Sequence, residues 1–179
     1  WPGSGTNGKE VRLLYVGRIS KEKDLDILVS AYKKIRETGH PVKLFLVGHG
    51  PYTKTLEAAL PEAVFLGYLK GEALAKAYAS ADVFVFPSTT DTFGNVILEA
   101  QASGLPVIVS DLGGPKELVD DGTTGFVTKA HDAEDFARAI NRLTADAGLR
   151  SRMGETARRK VIDRNWPGAF RKFWQATDL

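Results

Sequence analysis

The sequence predicts an α/β fold: six parallel strands in one sheet, with helices on both faces. Three observations lead there. Short runs rich in β-branched and aromatic residues alternate strictly with stretches of helical periodicity. Runs such as Leu44-Phe45-Leu46-Val47 and Val83-Phe84-Val85-Phe86 are apolar without alternation, as strands covered on both faces are. Strands that alternate with helices must run parallel, because each crossover brings the chain back to the same end of the sheet.

Each element has its own signal. Val11 to Val16 is the first strand, closed by Gly17. From Asp24 to Glu37 the spacing is helical, with Leu25, Leu28, Val29, Tyr32 and Ile35 on one face. Val42 to Val47 is the second strand, stopped by Gly48-His49-Gly50-Pro51. A helix over Tyr52 to Leu60 precedes a strand over Ala63 to Leu66, which ends at Gly67. Glu72 to Ala79 is helical, and Asp82 to Phe86 is a strand stopped by Pro87. Asn95 to Ser103 is a helix ended by Gly104, and Pro106 to Val109 is the fifth strand. Gly113-Gly114-Pro115 turns into a short helix to Val119, and Thr124 to Val127 is the last strand. Helices follow over Asp132 to Thr144, Leu149 to Asp163, and Pro167 to Ala176.

Composition narrows the function classes. A chain of 179 residues is long enough for one domain with a core. The net charge of +2 gives no electrostatic case for nucleic acid. The absence of cysteine excludes a disulfide framework and a thiolate metal site. No apolar run is long enough to span a bilayer. Residues 1–10 read as a linker or an edge of the chain, without a signal-peptide pattern. His40, His49 and His131 lack metal-ligand spacing, so no metal is expected.

In a parallel sheet of this kind, ligands sit outside the carboxyl ends of the strands. The loops there are glycine-rich: Gly17, Gly48 with Gly50, Gly67, and Gly113-Gly114. Glycine lets a backbone approach a ligand closely.

Two stretches carry candidate chemistry. The first is Gly17-Arg18-Ile19-Ser20-Lys21-Glu22-Lys23. Arg18 offers a planar fork of donors and Lys23 a point charge, both suited to diphosphate oxygens beside a helix start. A solvated charge cluster is the alternative. The second runs from Pro87 to Ala100, where Asp91 and Glu99 bracket a helix start. Glu99 stands among Val96, Ile97, Leu98 and Ala100, so it is expected to be buried and paired, with a ribose diol or with a lysine or arginine. The free amides near Phe93, Gly94 and Asn95 suit hydroxyls or phosphate. The pair Gly113-Gly114 reads as structural, and His49, at a strand end, reads as a solvent-facing turn residue, with contact to a ligand as the alternative. Ser88 lacks a nucleophile elbow, which argues against a serine hydrolase.

As a set, Gly17-Arg18 through Lys23, Gly48-His49-Gly50-Pro51, Phe65-Leu66-Gly67-Tyr68 and Pro87 to Glu99 resemble family 4 glycosyltransferases, retaining enzymes built of two Rossmann-like domains (the GT-B fold). The resemblance runs from about Val11 to Asp163. It implies that residues 11–165 are the donor-binding domain, and that 166–179 form a helix bridging to an N-terminal acceptor domain that this chain lacks. It implies a nucleotide-sugar donor (UDP-, GDP- or ADP-linked) and a hexosyl transfer with retention. Arg18 and Lys23 would hold the diphosphate and stabilise it as leaving group, with no metal or other cofactor required. Glu99 would bond the ribose, and Asp91 would face the donor sugar. Gly17, Thr92, Phe93, Gly94 and Asn95 would supply backbone contacts, and Gly67 and Tyr68 would lie by the base. The implied setting is cytoplasmic, with peripheral membrane contact by the full-length enzyme. This chain alone would bind donor and transfer little. One position departs from the family pattern: Asp91 stands where glutamate is usual, one methylene shorter.

The rivals are a sugar-nucleotide epimerase, which shares the two-domain architecture, and a non-catalytic sugar-nucleotide-binding module. A receiver domain would want acids after the first strand, where Gly17-Arg18 stands instead. A dinucleotide-binding domain would want Gly-x-Gly-x-x-Gly there.

Overall fold

The computed structural model describes residues 10–162. Within them the chain forms β1 (Val11–Val16), α1 (Leu25–Glu37), β2 (Val42–Val47), α2 (Thr53–Ala59), β3 (Val64–Gly67), α3 (Gly71–Ala79) and β4 (Val83–Phe86). Then follow α4 (Asn95–Ala102), β5 (Val107–Ser110), β6 (Gly125–Thr128), α5 (Ala133–Ala145) and α6 (Ala147–Ile162). Two single turns of 3-10 helix, Lys21–Lys23 and Pro115–Leu118, stand at strand ends. The helix expected over Pro167 to Ala176 lies outside the described residues.

The six strands pair in the order β3-β2-β1-β4-β5-β6, and every pair is parallel. The fold class is the expected one, a Rossmann-like sheet. The order reverses between β1 and β4, where Leu13 pairs with Val83 and Leu14 with Phe84. This register brings Gly17 and Pro87 out at the same edge, at the switch point where two crossovers diverge.

The non-alternating runs are indeed covered on both sides. All of β4 and β5 is buried, as is all of β2 except Lys43. The edge strand β3 is only half-buried throughout. Helix α1 buries Leu25, Leu28, Ala31, Tyr32 and Ile35, while Val29 is only half-buried on the flank of that stripe. It packs against α5 on one face of the sheet, and α4 packs against α6 on the other. Helix α5 starts sharply because Asp132 caps it, its Oδ1 accepting from the amides of Glu134 at 3.0 Å and Asp135 at 2.9 Å.

Candidate functional site

The loops at the carboxyl ends are built on one another before they are built for a ligand. A Cβ on Gly48, where φ is +135°, would stand 1.8 Å from the Gly17 carbonyl oxygen. One on Gly50 would stand 2.1 Å from that of Ile19. The Gly17 amide donates to the Val47 carbonyl at 3.0 Å, and the Ile19 amide to that of His49 at 3.2 Å. The same holds across the sheet, where a Cβ on Gly114 would meet the Thr92 carbonyl oxygen at 1.8 Å. The expectation that the glycines after β2 admit a ligand is therefore corrected: Gly48 and Gly50 admit a neighbouring backbone, and Gly114 does too, in keeping with its structural reading. Gly67, by contrast, faces open space.

Two adjoining clefts lie over the switch point. The larger, about 500 Å³, runs from Gly17 and Arg18 past Gly48, His49 and Tyr68 to Val96 and Glu99. The smaller, about 290 Å³, is lined by Tyr15, Arg18, Lys23, Phe86, Asp91 and residues 92–96. They share Val16, Gly17, Arg18 and Val96, so Arg18 stands at the junction of one continuous groove. A somewhat larger hollow between the ends of α1 and α2, lined by Tyr32, Arg36 and Glu62 among others, is away from these loops.

Of the expected site residues, Gly17, Arg18, Lys23, Tyr68, Asp91, Thr92, Phe93, Gly94, Asn95 and Glu99 line this groove, whereas Gly67 lines a neighbouring hollow that shares Gly48 and His49 with it. Arg18 is exposed and forms no ion pair among the described residues. Its carbonyl accepts a hydrogen bond from the Tyr15 hydroxyl at 3.0 Å. Lys23 Nζ pairs with Asp91 Oδ2 at 3.0 Å, with 17% and 25% of the side chains exposed. Gly94 takes a left-handed conformation, φ 83°, and leads into α4, whose first amides open on the smaller cleft. Tyr68 is 71% exposed on the rim of the larger cleft, with Lys70 Nζ 5.3 Å from its ring centre. His49 is exposed as expected, yet it also lines the groove.

Glu99 requires a correction. It is exposed, not buried. Helix α4 buries Ile97, Ala100 and Gln101, and Glu99 falls on the flank that faces the groove. Its Oε2 accepts from the Tyr78 hydroxyl at 2.8 Å, so among the described residues its partner is a phenol and no lysine or arginine. Tyr78 is buried on α3, and burial followed by this bond to Glu99 drives its pKa well above the usual tyrosine value. The Tyr15 phenol is driven up likewise, by burial first and then by the negative charges of Asp91 and Glu22. Both tyrosines therefore stay protonated and act as donors. Tyr15 and Phe86 stack at 5.8 Å to floor the smaller cleft.

Sequence reasoning missed the supporting roles of Tyr15, Tyr78, Asp24 and Thr89; Thr89 lies within the Pro87 to Ala100 stretch and Asp24 directly follows Lys23, but their contacts are long-range and leave no local signal. Ser88 is fully buried, which removes it as a nucleophile.

The model of glycosyl transferases group 1 matches residues 2–160. The chain belongs to that family. Among curated relatives, the sulfoquinovosyl transferase SQD2 of Arabidopsis thaliana is 39% identical over 166 residues, covering 89% of this chain and 32% of that protein. A GDP-mannose-dependent alpha-mannosyltransferase of Mycolicibacterium smegmatis is 41% identical over 154 residues, covering 86% of this chain and 39% of that protein. The chain thus spans about a third of the first relative's length and about two fifths of the second's. Among solved structures, Anabaena HepE in complex with UDP and glucose superposes with a TM-score of 0.81 at 24% identity, over 96% of this chain and 49% of that one. Sucrose-phosphate synthase from Thermosynechococcus elongatus does so with a TM-score of 0.79 at 31% identity, over 94% and 46%. Membership of this transferase family disfavours the epimerase reading. No described helix is long and apolar enough to cross a membrane.

Proposed function

We propose that the groove over β1 and β4 binds a nucleoside-diphosphate sugar, and that the chain is the donor half of a retaining hexosyltransferase. One observation carries this reading: Arg18 joins a cleft containing Glu99 to a cleft containing the Lys23–Asp91 pair. A nucleotide sugar has the same order of parts, with a diol, a diphosphate and a second sugar in line.

The base lies by Gly67 and Tyr68, and Glu99, pre-oriented by Tyr78, accepts from the ribose hydroxyls. The diphosphate crosses Gly17 and meets the Arg18 guanidinium, with Lys23 at its far end. The sugar enters the smaller cleft. Asp91 engages Lys23 through Oδ2 alone among the described residues, which leaves Oδ1 for a sugar hydroxyl. The amides over Thr92 to Asn95 face the same space. As the glycosidic bond breaks, negative charge builds on the distal phosphate. Arg18 and Lys23 supply two positive charges that stabilise it without a metal. The relatives named for GDP-mannose and the structure solved with UDP and glucose support the donor class and leave the base open.

A thermal-shift panel of UDP-, GDP- and ADP-sugars tests the reading. A ligand that binds only the folded state raises its melting temperature. One member of the panel is expected to do so, with a further rise on increasing concentration. A flat response to all three, up to millimolar ligand, rejects the donor assignment.

A further inference from the structure

Among the described residues, two other than glycine have a positive φ: Asp24 at 52° and His131 at 58°. They face each other, with His131 Nδ1 3.5 Å from Asp24 Oδ1. Non-glycine residues seldom adopt this conformation, and it persists where the surroundings hold it. For Asp24 the restraint is visible. Its Oδ2 accepts from the Thr89 amide at 3.2 Å and from the Thr89 hydroxyl. The carboxylate is thus held through Oδ2 by Thr89, 65 positions away in sequence, while Oδ1 faces the His131 ring.

Asp24 follows Lys23, and Thr89 stands two residues before Asp91. The tie is the outer member of a set. Thr90 Oγ1 donates to the Glu22 carbonyl at 3.1 Å, and Lys23 pairs with Asp91 at 3.0 Å. Three consecutive residues of the β1 loop are therefore laced to the β4 loop, and the middle rung is the pair that faces the smaller cleft.

We infer that Asp24 is a positioning residue: its carboxylate, held in a left-handed turn, draws the segment bearing Lys23 onto the loop bearing Asp91 and sets the donor contacts of both. This rests on the donor reading above. A backbone requirement alone would be met better by glycine, which takes a φ of this kind freely but brings no carboxylate. Asparagine tolerates the conformation and keeps an oxygen for Thr89.

The test compares the parent chain with Asp24→Gly and Asp24→Asn. UDP, GDP and ADP are titrated by calorimetry, melting temperatures are recorded, and hydrogen exchange at the Thr89 amide is followed without ligand. For Asp24→Gly the melting temperature is expected to hold or rise, while exchange at Thr89 quickens. Affinity for whichever diphosphate binds the parent most tightly falls roughly 5- to 30-fold, and Asp24→Asn recovers most of it. A residue with a merely structural role would move melting temperature and affinity together. That result overturns the inference, as does unchanged exchange at Thr89 or an asparagine variant as weak as the glycine one. Should none of the three diphosphates bind the parent, the donor reading fails by itself, and Thr89 exchange alone decides whether the clamp exists.

Discussion

Replacing Gly114 by alanine should damage the groove without touching any side chain in it. Gly114 has φ −73° and ψ −30°, an ordinary right-handed conformation, so alanine meets no backbone penalty there. The penalty is steric. The new Cβ would lie 1.8 Å from the Thr92 carbonyl oxygen, 2.4 Å from its carbon and 3.0 Å from the Phe93 nitrogen. All three are backbone atoms, so no rotamer change relieves the clash. The 89–93 loop must retreat by roughly 1 Å, enough to stretch hydrogen bonds past their useful length. The bonds that Asp91 makes from that loop are the first at risk: the Gly114 amide to the Asp91 carbonyl at 2.8 Å, and Lys23 to Asp91 at 3.0 Å. Overpacking of this kind costs about 1–3 kcal/mol of stability. Losing one charge-assisted contact to the donor costs about 1.5–3 kcal/mol, or roughly 10- to 150-fold in affinity. Gly122→Ala is the control. Its φ is +73° and its Cβ would face open space, so it costs about 1–2 kcal/mol through conformation alone. Urea unfolding measures stability and calorimetry with the donor nucleotide measures affinity. The two variants should lose similar stability while only Gly114→Ala loses affinity. If both bind the donor equally well, the backbone cradle does not set the position of Asp91.

Other substitutions probe the remaining contacts. Arg18→Ala should weaken nucleoside-diphosphate binding roughly 10- to 150-fold through loss of a charge-assisted bond, and calorimetry showing parental affinity would remove Arg18 from the site. Glu99→Gln should weaken ribonucleotides more than their 2′,3′-dideoxy analogues, whereas equal losses would refute the ribose contact. Tyr78→Phe removes the 2.8 Å bond that orients Glu99 and leaves no orphaned donor. It should cost about 0.5–1.5 kcal/mol of stability in urea unfolding and reproduce the ribose selectivity of Glu99→Gln more weakly. The helix cap gives a pH test. Asp132 has its pKa lowered chiefly by the Asp135 amide, so its contribution is complete above the unfolded aspartate value and lost as pH falls through the lower folded one. The gap between the urea midpoints of the parent and Asp132→Ala should therefore stay constant from neutral pH to about 5 and close below about 4. A constant gap throughout would contradict the capping assignment.

Much of this protein was legible in local pattern. Apolar runs without alternation identified strands buried on both faces, and periodicity of 3.6 identified the helices between them. Glycine and proline marked the ends of the first four strands, at or within one residue of the observed boundaries. Arg18, Lys23, Asp91 and Glu99 were recognised from residue type and place, and all four face the groove. These readings succeed because turns, periodicity and helix starts depend on neighbours a few positions apart.

What the chain order left undecided concerns which neighbours meet. Apolar residues around Glu99 suggested burial, but only packing of α4 reveals which flank faces the core, and Glu99 is on the other. The glycines pointed to close approach, but only the pairing of loops shows that the approaching partner is backbone. Lys23 meets Asp91 across 68 positions and Asp24 meets Thr89 across 65. Those contacts exist because β1 lies beside β4, a placement set by the burial of whole strands and the hand of the crossovers. Local sequence thus determined the parts and their chemistry, while the strand order, a property of the assembled core, decided which of them could touch.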